Sequence, residues 1–141
     1  MRRLKKRQEG LSETMAKLKL TKAEQRKVDY FPIQQAVLVP STISGDRVIP
    51  KTQQRRRISE VKNYLSKRFG GFTSVSAKGG YYSKDKRKLI QENVAVVTSF
   101  STKKDYKDHI GQLKKQLKKW KRKWGQYSMG YEHEGDLYYF S

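Results

Sequence analysis

The chain has no cysteine. That excludes disulfide staples, thiolate metal sites and a cysteine nucleophile, and it suits a reducing compartment. Histidine is almost as scarce. His109 and His133 are the only two, and they fall on different elements, so no closely spaced pair is offered to a metal. Acids are few, 13 against 33 Lys and Arg, and hydrophobic residues make up 35%. No apolar run approaches the ~20 residues needed to cross a bilayer. The start, Met1-Arg2-Arg3-Leu4-Lys5-Lys6-Arg7, carries the charge of a secretory n-region, but no apolar h-region follows it. These absences lead to the expectation of a cytoplasmic or nucleoid protein without a transmembrane segment and with one modest core.

What the chain has in excess is positive charge, a formal +20 over 141 residues. Self-repulsion of that size opposes a compact state, and a large polyanion offsets it. Nucleic acid, DNA or RNA, is therefore the expected partner. The length fits one domain with an appended arm.

The arm is residues 1–32, helical or disordered until bound. Residues 1–31 carry ten Lys or Arg against four acids. Leu11, Met15 and Leu18 recur at helical spacing, and Thr21 with Glu24 forms a capping-box pattern. The domain is residues 33–141. Gln35-Ala36-Val37-Leu38-Val39 reads as a buried strand ending at Pro40. A helix near 52–69 follows, with Ile58, Val61, Leu65 and Phe69 on one stripe and Arg55, Arg56 and Arg57 in its first turn. Gly70-Gly71 stops it. Phe72 to Ser76 alternates as a second strand, which Gly79 to Tyr82 extends beyond a bend. The third strand centres on Val94-Ala95-Val96-Val97, apolar on both faces and so interior.

Thr102 with Asp105 opens the clearest helix. Tyr106, Ile110, Leu113, Leu117, Trp120 and Trp124 make its heptad-like seam, and Gly125 ends it. Tyr127–Tyr131 and Leu137–Phe140, around a Glu134-Gly135-Asp136 turn, form a closing hairpin. The order from residue 33 is β-α-β-β-α-β. This predicts an α+β, ferredoxin-like antiparallel sheet with two helices on one face. Such a sheet leaves one face uncovered, and homodimerisation is an expected use of it.

Several short stretches, set side by side, are similar to an uncharacterised bacterial βαββαβ domain family. They are Arg68-Phe69-Gly70-Gly71-Phe72-Thr73, Gly79-Gly80-Tyr81-Tyr82, Glu92 before a hydrophobic strand, and Trp124-Gly125-Gln126-Tyr127-Ser128-Met129. The resemblance spans about residues 35–131, supports the fold and implies no activity. The extreme basicity and the arm depart from it. Better-known relatives of this topology fit less well. An RNA-recognition motif would need aromatics on the third strand. A replication-initiator nuclease would need two neighbouring histidines. The ribonuclease-like fold of CRISPR adaptation proteins would need an acid ending strand one, where Pro40-Ser41-Thr42 stands.

The candidate contacts to nucleic acid are basic. They are the arm residues Arg2, Arg3, Lys5, Lys6 and Arg7, the cluster Arg55, Arg56 and Arg57, and the helix face Lys114, Lys115, Lys118, Lys119, Lys121, Arg122 and Lys123, which no acid interrupts. Tyr81 and Tyr82, flanked by Lys78 and Lys84, are candidates for base stacking. No catalytic residue, cofactor or metal is implied, and the function expected is non-enzymatic nucleic-acid binding. Three alternatives stand beside it. The first is a ribonucleoprotein subunit. The second is a metal-dependent nuclease built on Glu92 and the Glu132–Asp136 cluster, with Glu92 meeting Glu132 on neighbouring strands. The third is membrane-surface binding through exposed Trp120 and Trp124. Gly70-Gly71 and Gly79-Gly80 match no phosphate-binding loop and read as turns.

Overall fold

The structure is a computed structural model that describes residues 18–44 and 47–141. The cluster Arg2, Arg3, Lys5, Lys6 and Arg7 lies outside the described residues, as do Leu11 and Met15. The chain divides into two units, one up to Pro32 and one from Ile33.

In the first unit the described helix is α1, Lys22–Gln25. It has the expected capping box: Thr21 Oγ1 accepts the Glu24 N–H at 3.2 Å, and Glu24 Oε1 accepts the Thr21 N–H at 3.1 Å. Two donors left over by the helix start are satisfied reciprocally.

The second unit runs β1 (Ile33–Pro40), β2 (Thr42–Ile43), β3 (Arg47–Val48), α2 (Lys51–Phe69), β4 (Thr73–Ser83), β5 (Lys88–Ser101), α3 (Lys103–Lys123), β6 (Met129–His133) and β7 (Asp136–Phe140). The five long strands form one antiparallel sheet in the order β4-β5-β1-β6-β7. Set aside β7, and this is the split βαβ order the sequence predicts; β7 adds an edge through a tight hairpin. β2 and β3 pair with each other as a small separate ribbon. Gly79 and Gly80 are not a turn. They lie inside β4, which runs unbroken to Ser83.

Burial explains which face is the core. Along β1 and β5, Val37, Val39, Ala95 and Val97 point to one side, where Val61, Leu65 and Phe69 of α2 and Leu113, Leu117 and Trp120 of α3 meet them. Burying an aliphatic or Phe side chain in this way contributes about 1.5–3 kcal/mol. Trp120 stacks on Trp124 at 5.5 Å and meets Tyr64 edge-on at 5.3 Å. Both tryptophans are buried, which removes the membrane-surface reading that needed them exposed. Among the described residues no helix is long and apolar enough to cross a membrane.

The helix ends follow their sequence signals. Thr102 Oγ1 accepts the Asp105 N–H at 3.1 Å and starts α3. Gly70, at φ 102°, caps α2, a backbone conformation that costs glycine nothing. α2 begins at Lys51, so Arg55 to Arg57 sit in its second turn rather than its first.

Candidate functional site

The side of the sheet away from the helices carries the alternate residues of the same strands. Leu38, Val94 and Val96 lie here half-buried, and Val75 and Tyr139 are exposed. Two positions on this face are glycines. A Cβ on Gly130 would fall 2.8 Å from Leu38 Cδ1. Gly79 stands directly across the ladder from Glu92, so no side chain is opposite that carboxylate, and a Cβ there would lie 3.6 Å from Val94 Cγ1. Glycine inside a strand marks such close approaches and hollows.

β1 ends at Pro40, opposite Val94, while the β4–β5 hairpin continues from Lys78–Asn93 out to Ser83–Lys88. The overhanging ribbon, the end of β1 and the segment Gln126–Gly130 enclose a cleft of about 490 Å³. Its walls are mainly apolar and aromatic: Leu38, Val94, Met129, Tyr81, Tyr127 and Tyr139. Its polar groups are few: Thr42, Gln91, Glu92, Gln126 and Ser128. A mostly apolar hollow with a small set of polar groups is the usual form of a small-molecule site.

Glu92 is the acid of this cleft. Its Oε2 accepts a hydrogen bond from Thr42 Oγ1 at 2.9 Å. A hydroxyl donating to a carboxylate is one of the stronger neutral-to-charged contacts. Thr42 is itself buried and is held by its backbone. Its carbonyl accepts from Gln126 Nε2 at 2.6 Å and from Arg57 Nη1 at 3.0 Å.

Arg57 is 2% exposed. Nη1 also donates to the Pro40 carbonyl at 2.9 Å, Nη2 reaches the Trp124 carbonyl at 3.5 Å, and the guanidinium lies 5.4 Å from the Trp124 ring centre. Burial lowers its pKa, and the charge of Glu92 acts in the opposite sense. One buried cation thus joins the end of β1 to the turn after α3, and both of those segments wall the cleft.

The core side holds a second polar group. Tyr131 donates to Gln35 Oε1 at 2.6 Å, and Tyr106 stacks on His133 at 4.9 Å. Burial, then Tyr106, push the Tyr131 hydroxyl well above the ordinary tyrosine range.

The residues expected from the sequence fall on several elements. Arg55, Arg56, Lys114, Lys115, Lys118, Lys119, Arg122 and Lys123 are exposed on the outer helix surfaces, with Lys121 half-buried. Arg57 is not a surface contact: its spacing to Val61, Leu65 and Phe69 is four, eight and twelve residues, which turns it inward with the core stripe. Lys78 and Lys84 are exposed on the hairpin, as are Tyr81 and Tyr82, and Tyr81 lines the cleft. Glu92 and Glu132 do not share neighbouring strands, because β1 lies between β5 and β6. Among the described residues no group of three His, Asp or Glu is placed to hold a metal.

Thr42, Gly79, Gln126 and Ser128 were not expected at a site. The available signals were the paired glycines within an alternating segment and the glutamine-x-serine step of Gln126 and Ser128.

No protein-family profile matches the chain, and no curated protein matches it. Two solved structures do. A phage SAM lyase in complex with S-methyl-5'-thioadenosine matches at TM-score 0.53 and 16% identity, over 77% of this chain and 88% of that one. A phage SAM lyase in its apo state matches at TM-score 0.50 and 16% identity, over the same shares. At this identity the likeness establishes the fold. It sets the chain beside an enzyme and not beside nucleic-acid binders, and this overturns the expectation of a non-enzymatic nucleic-acid-binding protein. The nuclease alternative loses its geometry instead, since β1 separates the strands of Glu92 and Glu132. Net charge measures attraction to anions in general; it does not locate chemistry, and here the cleft contains an acid and no lysine or arginine among its lining residues.

Proposed function

We propose that the chain is an enzyme that cleaves S-adenosylmethionine, releasing S-methyl-5'-thioadenosine, in the cleft that holds Glu92. The observation that carries this reading is the fixed carboxylate: Glu92, bonded to Thr42, lines the cleft with a glycine opposite. The likeness in fold to a phage SAM lyase directs attention to this substrate.

The substrate's sulfur is a sulfonium cation. A carboxylate at the mouth of an apolar hollow attracts it more strongly than in bulk water, because the local dielectric is lower. The free ring faces of Tyr81, Tyr127 and Tyr139 suit the purine, and aromatic side chains supply large contact area. The cleft volume of about 490 Å³ falls in the range of roughly 300–1,000 Å³ usual for ligands of this size.

In the reaction the bond between sulfur and the methionyl Cγ breaks, and its electron pair stays on sulfur. The sulfonium becomes the neutral thioether of S-methyl-5'-thioadenosine. Cγ regains electrons from within the same substrate, whose own carboxylate closes on Cγ to form a lactone as the bond to sulfur breaks, so no water is consumed and no proton is released. The protein's part is to exclude water and to fold the methionyl chain, a contribution of proximity and orientation. Glu92 recognises the cation and orients the reacting centre.

The test is direct. Purified protein is incubated with S-adenosylmethionine and the products are separated by liquid chromatography and identified by mass. Release of S-methyl-5'-thioadenosine that disappears with Glu92→Gln supports the reading. No release, with no binding of either compound by calorimetry, overturns it.

A further inference from the structure

The geometry points to Arg57, acting through Thr42, as the positioning residue of the Glu92 carboxylate. This rests on the reading of the cleft as the site of S-adenosylmethionine cleavage.

The starting observation is a charge where the core pattern calls for an apolar residue. Arg57, Val61, Leu65 and Phe69 are the buried residues of α2. An aliphatic side chain at 57 would continue the stripe without a desolvation cost. A buried guanidinium is retained at a cost of several kcal/mol unless its donors are satisfied, and Nε finds no acceptor among the described residues. Simple helix packing does not account for it.

Its contacts do. The guanidinium makes no ion pair within 4 Å among the described residues; its three contacts are backbone carbonyls, of Pro40, Thr42 and Trp124. Pro40 is the last residue of β1, Thr42 opens the short β2, and Trp124 follows α3, where the final carbonyls of a helix lack intrahelical partners. Binding them locks the backbone of Thr42, and the Thr42 hydroxyl then has one orientation, toward Glu92 at 2.9 Å. Gln126 braces the same carbonyls of Thr42 and Trp124 from the cleft side, at 2.6 and 2.9 Å. The positive charge beneath Thr42 and the negative charge above it face one another across a single residue. The Thr42 hydroxyl makes its hydrogen bond to Glu92, so removing that hydroxyl alone frees the carboxylate to move.

The experiment uses the full chain and three substitutions, Thr42→Val, Thr42→Ser and Arg57→Lys. Three quantities are read: kcat/KM for S-adenosylmethionine, the Kd for the neutral product S-methyl-5'-thioadenosine, and the carbon-13 shift of the Glu92 carboxylate by NMR. Thr42→Val keeps shape and removes only the hydroxyl. It should lower kcat/KM about tenfold or more, the worth of a hydrogen bond to a charged group, while the product's Kd stays within about threefold. The Glu92 signal should move. Thr42→Ser keeps the hydroxyl and should restore all three quantities. Arg57→Lys keeps the charge but not the fork of donors, and should move the Glu92 signal as Thr42→Val does.

Thr42→Val and Thr42→Ser behaving alike, or kcat/KM and product binding falling together, would overturn the assignment. If the unmodified chain cleaves nothing, the proposed reaction fails, and the NMR comparison still decides whether Arg57 and Thr42 position Glu92.

Discussion

The two faces of this sheet are made by the same strands and have opposite contents. β1 and β5 put Val37, Val39, Ala95 and Val97 on the helix side, all nearly inaccessible, and Leu38, Glu92, Val94 and Val96 on the other, all half-buried. The first face is covered by α2 and α3, whose Val61, Leu65, Phe69, Leu113, Leu117 and Trp120 pack against it. The second has glycines at 79 and 130 and the Glu92 carboxylate, while Gln35 and the Tyr131 hydroxyl, polar groups that the first face buries, are neutral and bonded to each other. The difference shows how a strand's two-residue period serves two purposes at once. One register builds stability and the next builds a cleft, so a change on one face should leave the other's property largely alone.

The largest effect should come from the filled face. Phe69→Ala removes a fully buried ring that also meets His109 edge-on at 5.9 Å. A loss of about 3–5 kcal/mol is expected, read as a lower midpoint in urea. Protein that remains folded should still cleave S-adenosylmethionine. A large activity loss in fully folded Phe69→Ala protein would break the separation of faces.

Next is the open face. Glu92→Gln keeps size and loses charge. The kcat/KM for S-adenosylmethionine should fall about a hundredfold, equivalent to about 2.7 kcal/mol, while stability changes by less than about 1 kcal/mol. A change in urea midpoint as large as that of Phe69→Ala would mean that Glu92 is structural.

Much of this was legible before any coordinates. The seam from Tyr106 to Trp124, the capping residues Thr21 and Thr102 and the closing hairpin all rest on local periodicity and local hydrogen bonds, which a sequence displays. The cleft rests on register. That Gly79 faces Glu92 depends on how a hairpin thirteen residues across is paired, and that Thr42 meets Glu92 spans fifty positions. Arg57 is the instructive miss. Its spacing to Val61, Leu65 and Phe69 was visible, yet its charge placed it with Arg55 and Arg56, because a buried arginine is rare without a partner. The partners were carbonyls, and carbonyls carry no sequence signal. The basic surface misled in a related way, since its size says nothing of where a substrate binds.

A smaller effect concerns pH and again belongs to the filled face. Tyr131 is 3% exposed, and burial raises its pKa in the folded protein. An unfolded tyrosine loses its proton near pH ~10. Above that pH the folded state still holds a proton that the unfolded state has released, so stability falls as pH rises. It is fully present below about pH 10 and declines by up to about 1.4 kcal/mol for each unit above it. Tyr131→Phe should flatten that decline in urea melts between pH 9 and 11, a range set around the ~10 of a free tyrosine. Equal slopes in the two proteins would mean that Tyr131 titrates normally.

The smallest effect should lie outside both faces, on the outer surface of α3. Lys115 and Lys118 are exposed and belong to a run without acids, from Lys114 to Lys123. Neither lines the cleft. Exchanging both for Gln removes two charges from an excess of +20, which relieves a little self-repulsion. Exposed substitutions of this kind change stability by less than about 0.5 kcal/mol, and screening at ~0.15 M salt reduces their reach to about 8 Å. Stability should therefore rise slightly or stay level, and kcat/KM should match the unmodified chain. A tenfold fall in cleavage of S-adenosylmethionine would break the argument from the other direction. It would place part of the substrate's recognition on the helix layer, behind a core that the separation of the two faces treats as sealed.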